Sequence, residues 1–425
     1  MAYAGLGERA ALFRAAEQLG VEDPNELRQA HRLIMETTRF QNRLDHLISR
    51  AVGEDEIRKA PHGVTSFLKI LAYMKYVDGA RVNDVERAVN WARQILGWQE
   101  LHPFEKSIAI IVSGASSAYP PNLNEIERIS LKTCHPEWFV EKVIRVFGRQ
   151  FGLQILRRNL KTLPTYVRIN PLKVRGEPQK DRIAPQLGTE QIKDVFRLEK
   201  SSIVLVRSGL VSSGEIVVQD LASIVTGLVA SPKPGATVLD LCAAPGNKTS
   251  HLAAQMQNQG EIYSIDISDR RLSHWKGEIA RTGCKIAAGI RADGRRIPVK
   301  GELDVVLVDP PCSNTGVFAR NPFIKWNLSP GRIKEFAIKQ YSMLQAASEH
   351  VAPMGILVYS TCSILPEENE HVLEAFLRRS PNFKVVSQQP YIGSPGLRGF
   401  EQCQRFYPHL HDCNGYFIAK LQRND

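Results

Sequence analysis
A chain of 425 residues is too long for one ordinary hydrophobic core, so two or three domains are expected. Its 43% hydrophobic and 23% charged residues, with no apolar stretch long enough for a membrane span, suit a soluble globular protein. The net charge of +11 favours a polyanionic partner, and seven scattered cysteines favour free thiols in a reducing compartment over a disulfide framework.

The opening MAYAGLGERAALFRAAEQLG lacks a basic n-region, an apolar core and a cleavage site, so no signal peptide is expected and a cytoplasmic place is. Leu12, Phe13, Ala16 and Leu19 fall at helical spacing and stop at Gly20. Val64, Phe67, Leu68 and Leu71 repeat the pattern. Val85, Ala88, Val89, Ala92, Ile95 and Leu96 form a third stripe, with Asn83 placed to cap it and Gly97 to end it. Such stripes read as core-facing helix sides. Turn chemistry in SGASSAYPPNLNE, at 113–125, marks a domain boundary. Residues 126–215 mix a helical run, HPEWFVEKVIRVFG, with β-prone TYVRIN (165–170), DVFRL (194–198) and SIVLV (202–206). The basic run RRNLK at 157–161 reads first as a solvated face. From 216 onward, β-branched runs at 237–239, 261–265, 304–308, 355–359 and 415–419 alternate with segments long enough for helical crossovers. That alternation predicts a parallel sheet covered by helices on both faces.

Ligands of an open parallel sheet sit beyond the carboxyl ends of its strands. Here those ends carry Asp240 and the following LCAAPGNKT, Asp266, Asp293 after a third strand KIAAGI, DPPC at 309–312, and STC at 360–362. Acids and thiols at five successive strand ends predict a site. The first loop has neither GxGxxG nor GxxxxGK[ST], so a pyrophosphate or triphosphate is poorly served. Asp266 is placed to receive a ribose diol, which points to a cofactor with ribose and adenine but no phosphate, S-adenosylmethionine being the common one. Cys312 and Cys362 follow strands that should be neighbours. Pyrimidine C5 becomes nucleophilic only after something adds at C6, and a thiolate suits that addition. Asp309 is placed to offset charge developing at N3, and a second cysteine to assist removal of the C5 proton.

DLCAAPGNKT, DPPCSNTG and STCSILPEENE resemble the first, fourth and sixth motifs of the RsmB/Nop2/Sun group of RNA cytosine-5 methyltransferases. The resemblance covers about residues 130 to 425 and includes HPEWFVEKV, YVRIN, VQDLAS at 218–223 and the closing RFYPHLHDCNGYFIAK. It implies Cys362 as nucleophile, Cys312 as the cysteine of product release, and Asp309 as the acid at cytosine N3. For the cofactor it implies Cys242, Ala243, Ala244, Pro245, Gly246 and Lys248 of the first motif, with Asp266, Arg271, Asp293 and Asp309. Asn247 and Asn314 stand where glycines are usual, and ARNPFIKW is looser than the usual RRxPxxRW.

The implied fold class is α/β: a Rossmann-like S-adenosylmethionine-dependent methyltransferase domain (216–425), preceded by a small α+β RRM-like piece (126–215) and an all-α NusB-like N-terminal domain (1–125). RNA is the implied partner, ribosomal RNA first and transfer RNA as the alternative. A non-catalytic RNA-binding assembly factor keeping the fold is the rival of another class. A DNA methyltransferase would use Cys312 to attack, a reading that the full STCSILPEENE motif opposes. No metal is expected, because Cys403, His409, His411 and Cys413 fit no common zinc spacing.

Overall fold
The computed structural model describes residues 8–114, 122–174, 189–198 and 208–425, and the 202–206 strand expected from SIVLV lies outside them. The chain forms two compact units, Met1–Leu160 with Asn321–Asn327, and Lys161–Arg320 with Leu328–Asp425. The division therefore falls after Leu160, not after residue 125. Helices of the 125–158 region join the preceding ones through Asn42 Nδ2, which donates to Ser130 O at 3.1 Å, and Arg39 Nη1, which donates to Asn159 O at 3.0 Å.

The first unit is helical among its described residues. Its helices start where the sequence supplies caps. Asp23 accepts from Asn25 N ahead of Pro24–Arg39, with proline at the first position, and Asn124 and Glu127 form a reciprocal capping box. Val64, Phe67, Leu68 and Leu71 of His62–Tyr76 are buried with Leu44, Ile48, Val85 and Ile111. Two stripes are only half right. Phe13 and Leu19 are 60% and 77% exposed, and Ile95 is 81% exposed. Helical period locates a face, but whether anything covers it depends on the fold. Val82–Leu96 begins one residue before Asn83, with Arg81 at the cap position, and ends at Gly97 in a positive-φ conformation as expected.

In the second unit, β1 (Tyr166–Ile169), β2 (Thr189–Ile192), β3 (Val195–Arg197) and β4 (Ile216–Val218) form an antiparallel sheet of order β2-β3-β1-β4. The main sheet holds β5 (Thr237–Leu241), β6 (Glu261–Asp266), β7 (Ala287–Arg291), β8 (Leu303–Val308) and β9 (Val351–Thr361), with β10 (Phe383–Val385), β11 (Ser394–Pro395), β12 (Gln404–Phe406) and β13 (Tyr416–Arg423). Its order is β11-β12-β13-β9-β8-β5-β6-β7, with β10 pairing β13. The five strands β5 to β9 are parallel, as the alternation predicts. The closing strand departs from the expectation, because β13 runs antiparallel to β9. Side-chain alternation builds both layers. Val238 of β5 packs with Ile224, Val225 and Leu252 on one face, while Leu239 and Leu241 pack with Leu344, Leu373 and Phe376 on the other. The order places the ends of β6, β5, β8 and β9 side by side, which is what gathers the site.

Candidate active site
The loop after β5 turns sharply. Cys242 has φ +66°, Gly246 has φ +112°, and Gly246 N donates to Ala243 O at 2.9 Å. At Gly246 a Cβ would meet Trp275 at 3.2 Å and Glu278 at 3.3 Å in a left-handed backbone, so glycine is required there. Asn247 opens the helix Asn247–Gln255 and is not among the residues of positive φ, so replacing the usual glycine carries no backbone cost. Thr249 Oγ1 donates to Asp240 Oδ2 at 2.6 Å and accepts from Trp275 Nε1 at 3.1 Å. Burial pushes the Asp240 carboxyl up to about 7, and its Oδ1 has no partner. From β1, Arg168 supports the same loop by donating to Ser250 Oγ at 2.7 Å and Gln219 Oε1 at 3.0 Å, and burial lowers its pKa to about 9.

Asp266 ends β6 and is 2% exposed. Its Oδ1 accepts from Ser268 N at 3.1 Å. Its Oδ2 lies 3.2 Å from Arg271 Nη2 but accepts no well-oriented hydrogen bond. Arg271 Nη2 instead donates to Ala244 O at 2.6 Å, tying this corner to the first loop. A cavity of about 120 Å³ opens here, lined by Cys242, Asp266, Arg271, Asp293, Pro311 and Met343 among others. Asp293 holds Arg295 at 2.6 Å, and that guanidinium lowers its carboxyl to about 2. A second cavity of about 250 Å³ is lined by Asp240, Cys242, Pro245, Lys248 and Asp309, so the two share Cys242. An unmet buried carboxylate oxygen beside apolar walls fits a ribose diol and an adenine, which is the donor set S-adenosylmethionine needs.

Asp309 follows β8. Its Oδ2 accepts from Lys248 Nζ at 2.6 Å, and its Oδ1 from Ser360 Oγ at 3.0 Å and Tyr416 OH at 2.9 Å. Burial disfavours the Lys248 ammonium, yet the adjoining Asp309 carboxylate holds its pKa above the usual lysine value. Burial, then Asp309, raises the Tyr416 phenol. Ser360 and Tyr416 are partners of the site that the sequence reading did not select. Ser360 stands inside the STCS motif, but Tyr416 reaches Asp309 across 107 residues of chain, through the pairing of β13 with β9.

Cys312 and Cys362 are free thiols whose sulfurs lie 3.1 Å apart. The pairing of β8 with β9 brings them together, as expected from their strand ends. Cys362 Sγ donates to Asn314 Oδ1 at 2.8 Å, and Asn314 Nδ2 donates to Cys312 O at 3.0 Å. Asn314 takes φ +57°, a left-handed conformation that asparagine tolerates in place of the usual glycine. The hydrogen bond with Cys362, then burial, raises the Cys312 thiol well above its ordinary pKa. All the residues read from the sequence at strand ends therefore meet in one unit. His411 of the Cys403–Cys413 region hydrogen-bonds Tyr407 N through Nδ1 at 2.9 Å, and among the described residues no three His, Cys, Asp or Glu side chains group to hold a metal.

Residues 227–422 match the family model described as 16S rRNA methyltransferase RsmB/F. The chain is 30% identical over 338 residues to the probable ribosomal RNA small subunit methyltransferase B of Bacillus subtilis, covering 75% of this chain and 74% of that protein. It is 39% identical over 206 residues to the tRNA (cytosine(72)-C(5))-methyltransferase of Pyrococcus horikoshii, covering 48% of this chain and 51% of that one. Among solved structures, the crystal structure of PH0851 superposes with a TM-score of 0.78 at 29% identity, covering 96% of this chain and 93% of that chain.

Proposed function
This chain belongs to the RsmB/Nop2/Sun family of S-adenosylmethionine-dependent RNA cytosine-5 methyltransferases, and we propose that it methylates ribosomal RNA with Cys362 as nucleophile. The observation that carries a two-thiol reaction is the pair of sulfurs 3.1 Å apart, and the resemblance of STCSILPEENE to the sixth motif supports Cys362 as the one that attacks. Asn314 Oδ1 orients the Cys362 S–H, whose proton passes to solvent, and the resulting thiolate adds to cytosine C6. The charge displaced toward N3 is offset by the Asp309–Lys248 pair, whose ammonium is held 2.6 Å from the carboxylate, and it is discharged when C5 takes the methyl group. S-adenosylmethionine, when bound, supplies the methyl group to C5. Cys312 in its thiolate form then takes the C5 proton. The C5–H electrons form the C5–C6 double bond, and the C6–S bond breaks to return Cys362 as a thiolate.

On this reading Cys242 to Gly246, Lys248 and Arg271 shape the cofactor loop, Asp266 receives the ribose hydroxyls, and Asp293 faces the adenine side. The helical unit and the small sheet β1 to β4 contact RNA, and the reaction takes place in the cytoplasm. Ribosomal RNA is favoured because the relative aligned over 75% of this chain is a ribosomal RNA methyltransferase. Transfer RNA is the second reading, favoured by the higher identity of the Pyrococcus enzyme over its shorter alignment.

The test incubates wild type, Cys312→Ala and Cys362→Ala with total RNA and S-adenosylmethionine, followed by denaturing gels and bisulfite sequencing. Cys312→Ala is expected to trap a covalent RNA adduct, and Cys362→Ala to give neither adduct nor product. An adduct trapped by Cys362→Ala would reverse the roles. The sequence of the trapped RNA decides between the two substrates.

A further inference from the structure
The motif around the nucleophile, STCSILPEENE, contains acids that the chemistry above does not use. One of them, Glu368, is fully buried, and among the described residues no lysine, arginine or histidine pairs with it. A buried carboxylate without a counter-ion is costly unless hydrogen bonds replace the lost water. The donors here come from the residues that follow each thiol. Ser313 N donates to Glu368 Oε1 at 2.7 Å, and Ser363 Oγ donates to Oε2 at 2.6 Å. Ser313 Oγ also donates to Oε2, and Gln340 Nε2 donates to Oε1 at 2.9 Å. Ser313 directly follows Cys312, and Ser363 directly follows Cys362.

We infer that Glu368 is a positioning residue that clamps the two cysteine-bearing loops together and so sets the thiol-to-thiol spacing on which product release depends. This rests on the roles assigned above to Cys362 and Cys312. The clamp continues around the loops. Thr315 Oγ1 and Ser363 Oγ are 2.9 Å apart, Ile364 N donates to Thr315 Oγ1 at 3.1 Å, and Gly316 N donates to Cys362 O at 2.9 Å. Glu368 itself is held from behind, because Tyr359 OH donates to its backbone carbonyl at 2.5 Å and Asn369 Nδ2 donates to Ser363 O at 2.9 Å. Both oxygens are thus occupied by the two loops and the helix Pro330–Ser348, leaving nothing for a ligand. That pattern fits a positioning role better than a binding one. The charge has a second consequence. A fixed negative group beside Cys312 opposes its ionisation, adding to the effects of Cys362 and burial. The titratable groups around this thiol are Cys362 and Tyr359 from β9 and its end, Asp309 from the end of β8, and Glu368, with Glu370 beyond it paired to Arg405.

The experiment compares wild type, Glu368→Gln and Glu368→Ala by two readouts. The first is the ratio of covalent adduct to methylated product with total RNA and S-adenosylmethionine. Glu368→Ala is expected to raise that ratio about tenfold, because a loosened Cys312 loop slows release more than addition. Glu368→Gln, which keeps the shape and can rearrange its hydrogen bonds, should restore a ratio near that of wild type. The second readout needs no RNA: iodoacetamide alkylation of Cys312 as a function of pH, read by peptide mass spectrometry. Removing the charge in Glu368→Gln should move the Cys312 profile to lower pH. An unchanged ratio in folded Glu368→Ala, or superposed alkylation profiles in Glu368→Gln, overturns the inference. Should Glu368→Ala not fold, Ser313→Ala is read in the same way, with an increase of about threefold in the ratio expected and no increase overturning the clamp. If Cys362→Ala still traps adducts while the alkylation profile shifts, the assignment of roles fails and the clamp stands.

Discussion

Two shielded lysines, one in each unit, show how surroundings decide what the same side chain does. Lys248 has a side chain 14% exposed and meets the Asp309 carboxylate at 2.6 Å. Lys325 is 1% exposed and meets backbone oxygens, Arg39 O at 2.7 Å and Cys134 O, with the Trp326 ring 4.9 Å from its Nζ. The carboxylate keeps Lys248 charged against the penalty of burial. Without one, burial brings the Lys325 pKa down to about 7. The first lysine is therefore a cation held in place at the candidate site by its carboxylate partner. The second is a polar staple closing the ends of two helical segments, with Trp326 Nε1 adding a bond to Thr38 O at 2.7 Å. A buried cation is informative about chemistry only when its counter-charge faces a cavity.

Removing the charge at Lys248 gives the largest expected effect. Lys248→Met leaves Asp309 with Ser360 and Tyr416 and takes away the cation at Oδ2. Methyl incorporation into total RNA should fall by about 10²- to 10³-fold, the range of a lost electrostatic stabiliser. Lys325→Met, treated identically, should leave turnover within about threefold, since Lys325 bonds backbone oxygens of its own unit and burial changes of that kind act on stability. Equal losses in the two variants would dissolve the distinction between them. The cofactor side gives the next effect. Asp266→Ala removes the carboxylate whose Oδ2 is unmet, so the KM for S-adenosylmethionine should rise about 10- to 100-fold, equivalent to a charge-assisted pair of hydrogen bonds. A matching fall in kcat with KM unchanged would place Asp266 in the reacting half of the site instead.

What could be read from the sequence divides along the same line as these lysines. Strands β5, β6, β8 and β9 announce themselves as β-branched runs, and their carboxyl ends name Asp266, Asp309, Cys312 and Cys362 without any structure. Lys248 is legible because it stands in the same loop as Gly246. Strand direction is not a local property, so the antiparallel course of β13 was out of reach, and with it the contact of Tyr416 with Asp309. Glu368 was visible as a motif residue, yet its partners lie 55 and 5 residues away, and only the folded loops show that one carboxylate serves both. Phe13, Leu19 and Ile95 mislead for a related reason: periodicity defines a side of a helix, and coverage of that side is a tertiary matter.

Tyr416 sharpens the account of Asp309 with a smaller effect. Tyr416→Phe deletes one hydroxyl donor to Oδ1 and leaves Ser360 Oγ on the same oxygen. One hydrogen bond to a carboxylate that keeps two other donors is worth about 1.5 kcal/mol, so kcat should fall about tenfold with the KM for S-adenosylmethionine unchanged. A loss as large as that of Lys248→Met would make the phenol a participant in proton transfer.

The smallest effect is on stability and lies with Lys325. In the unfolded chain a lysine titrates near 10.4, whereas the folded protein lowers Lys325 to about 7. Below pH 7 both states carry the proton, and the burial penalty is fully present. Between about 7 and 10.4 the unfolded state binds more protons than the folded one, so this group makes stability rise with pH. Both charge states can satisfy Arg39 O and Cys134 O, because a neutral amine still has two N–H donors, so the hydrogen bonds survive the titration. Other lysines, tyrosines and thiols titrate in the same range, and the difference between wild type and Lys325→Met isolates this one. Thermal melts at pH 7 and pH 9.5 should show a larger upward change for wild type than for the variant. Parallel shifts in the two proteins would mean that Lys325 keeps its charge through this range, and that backbone carbonyls and the Trp326 ring can hold a buried ammonium as firmly as Asp309 holds Lys248.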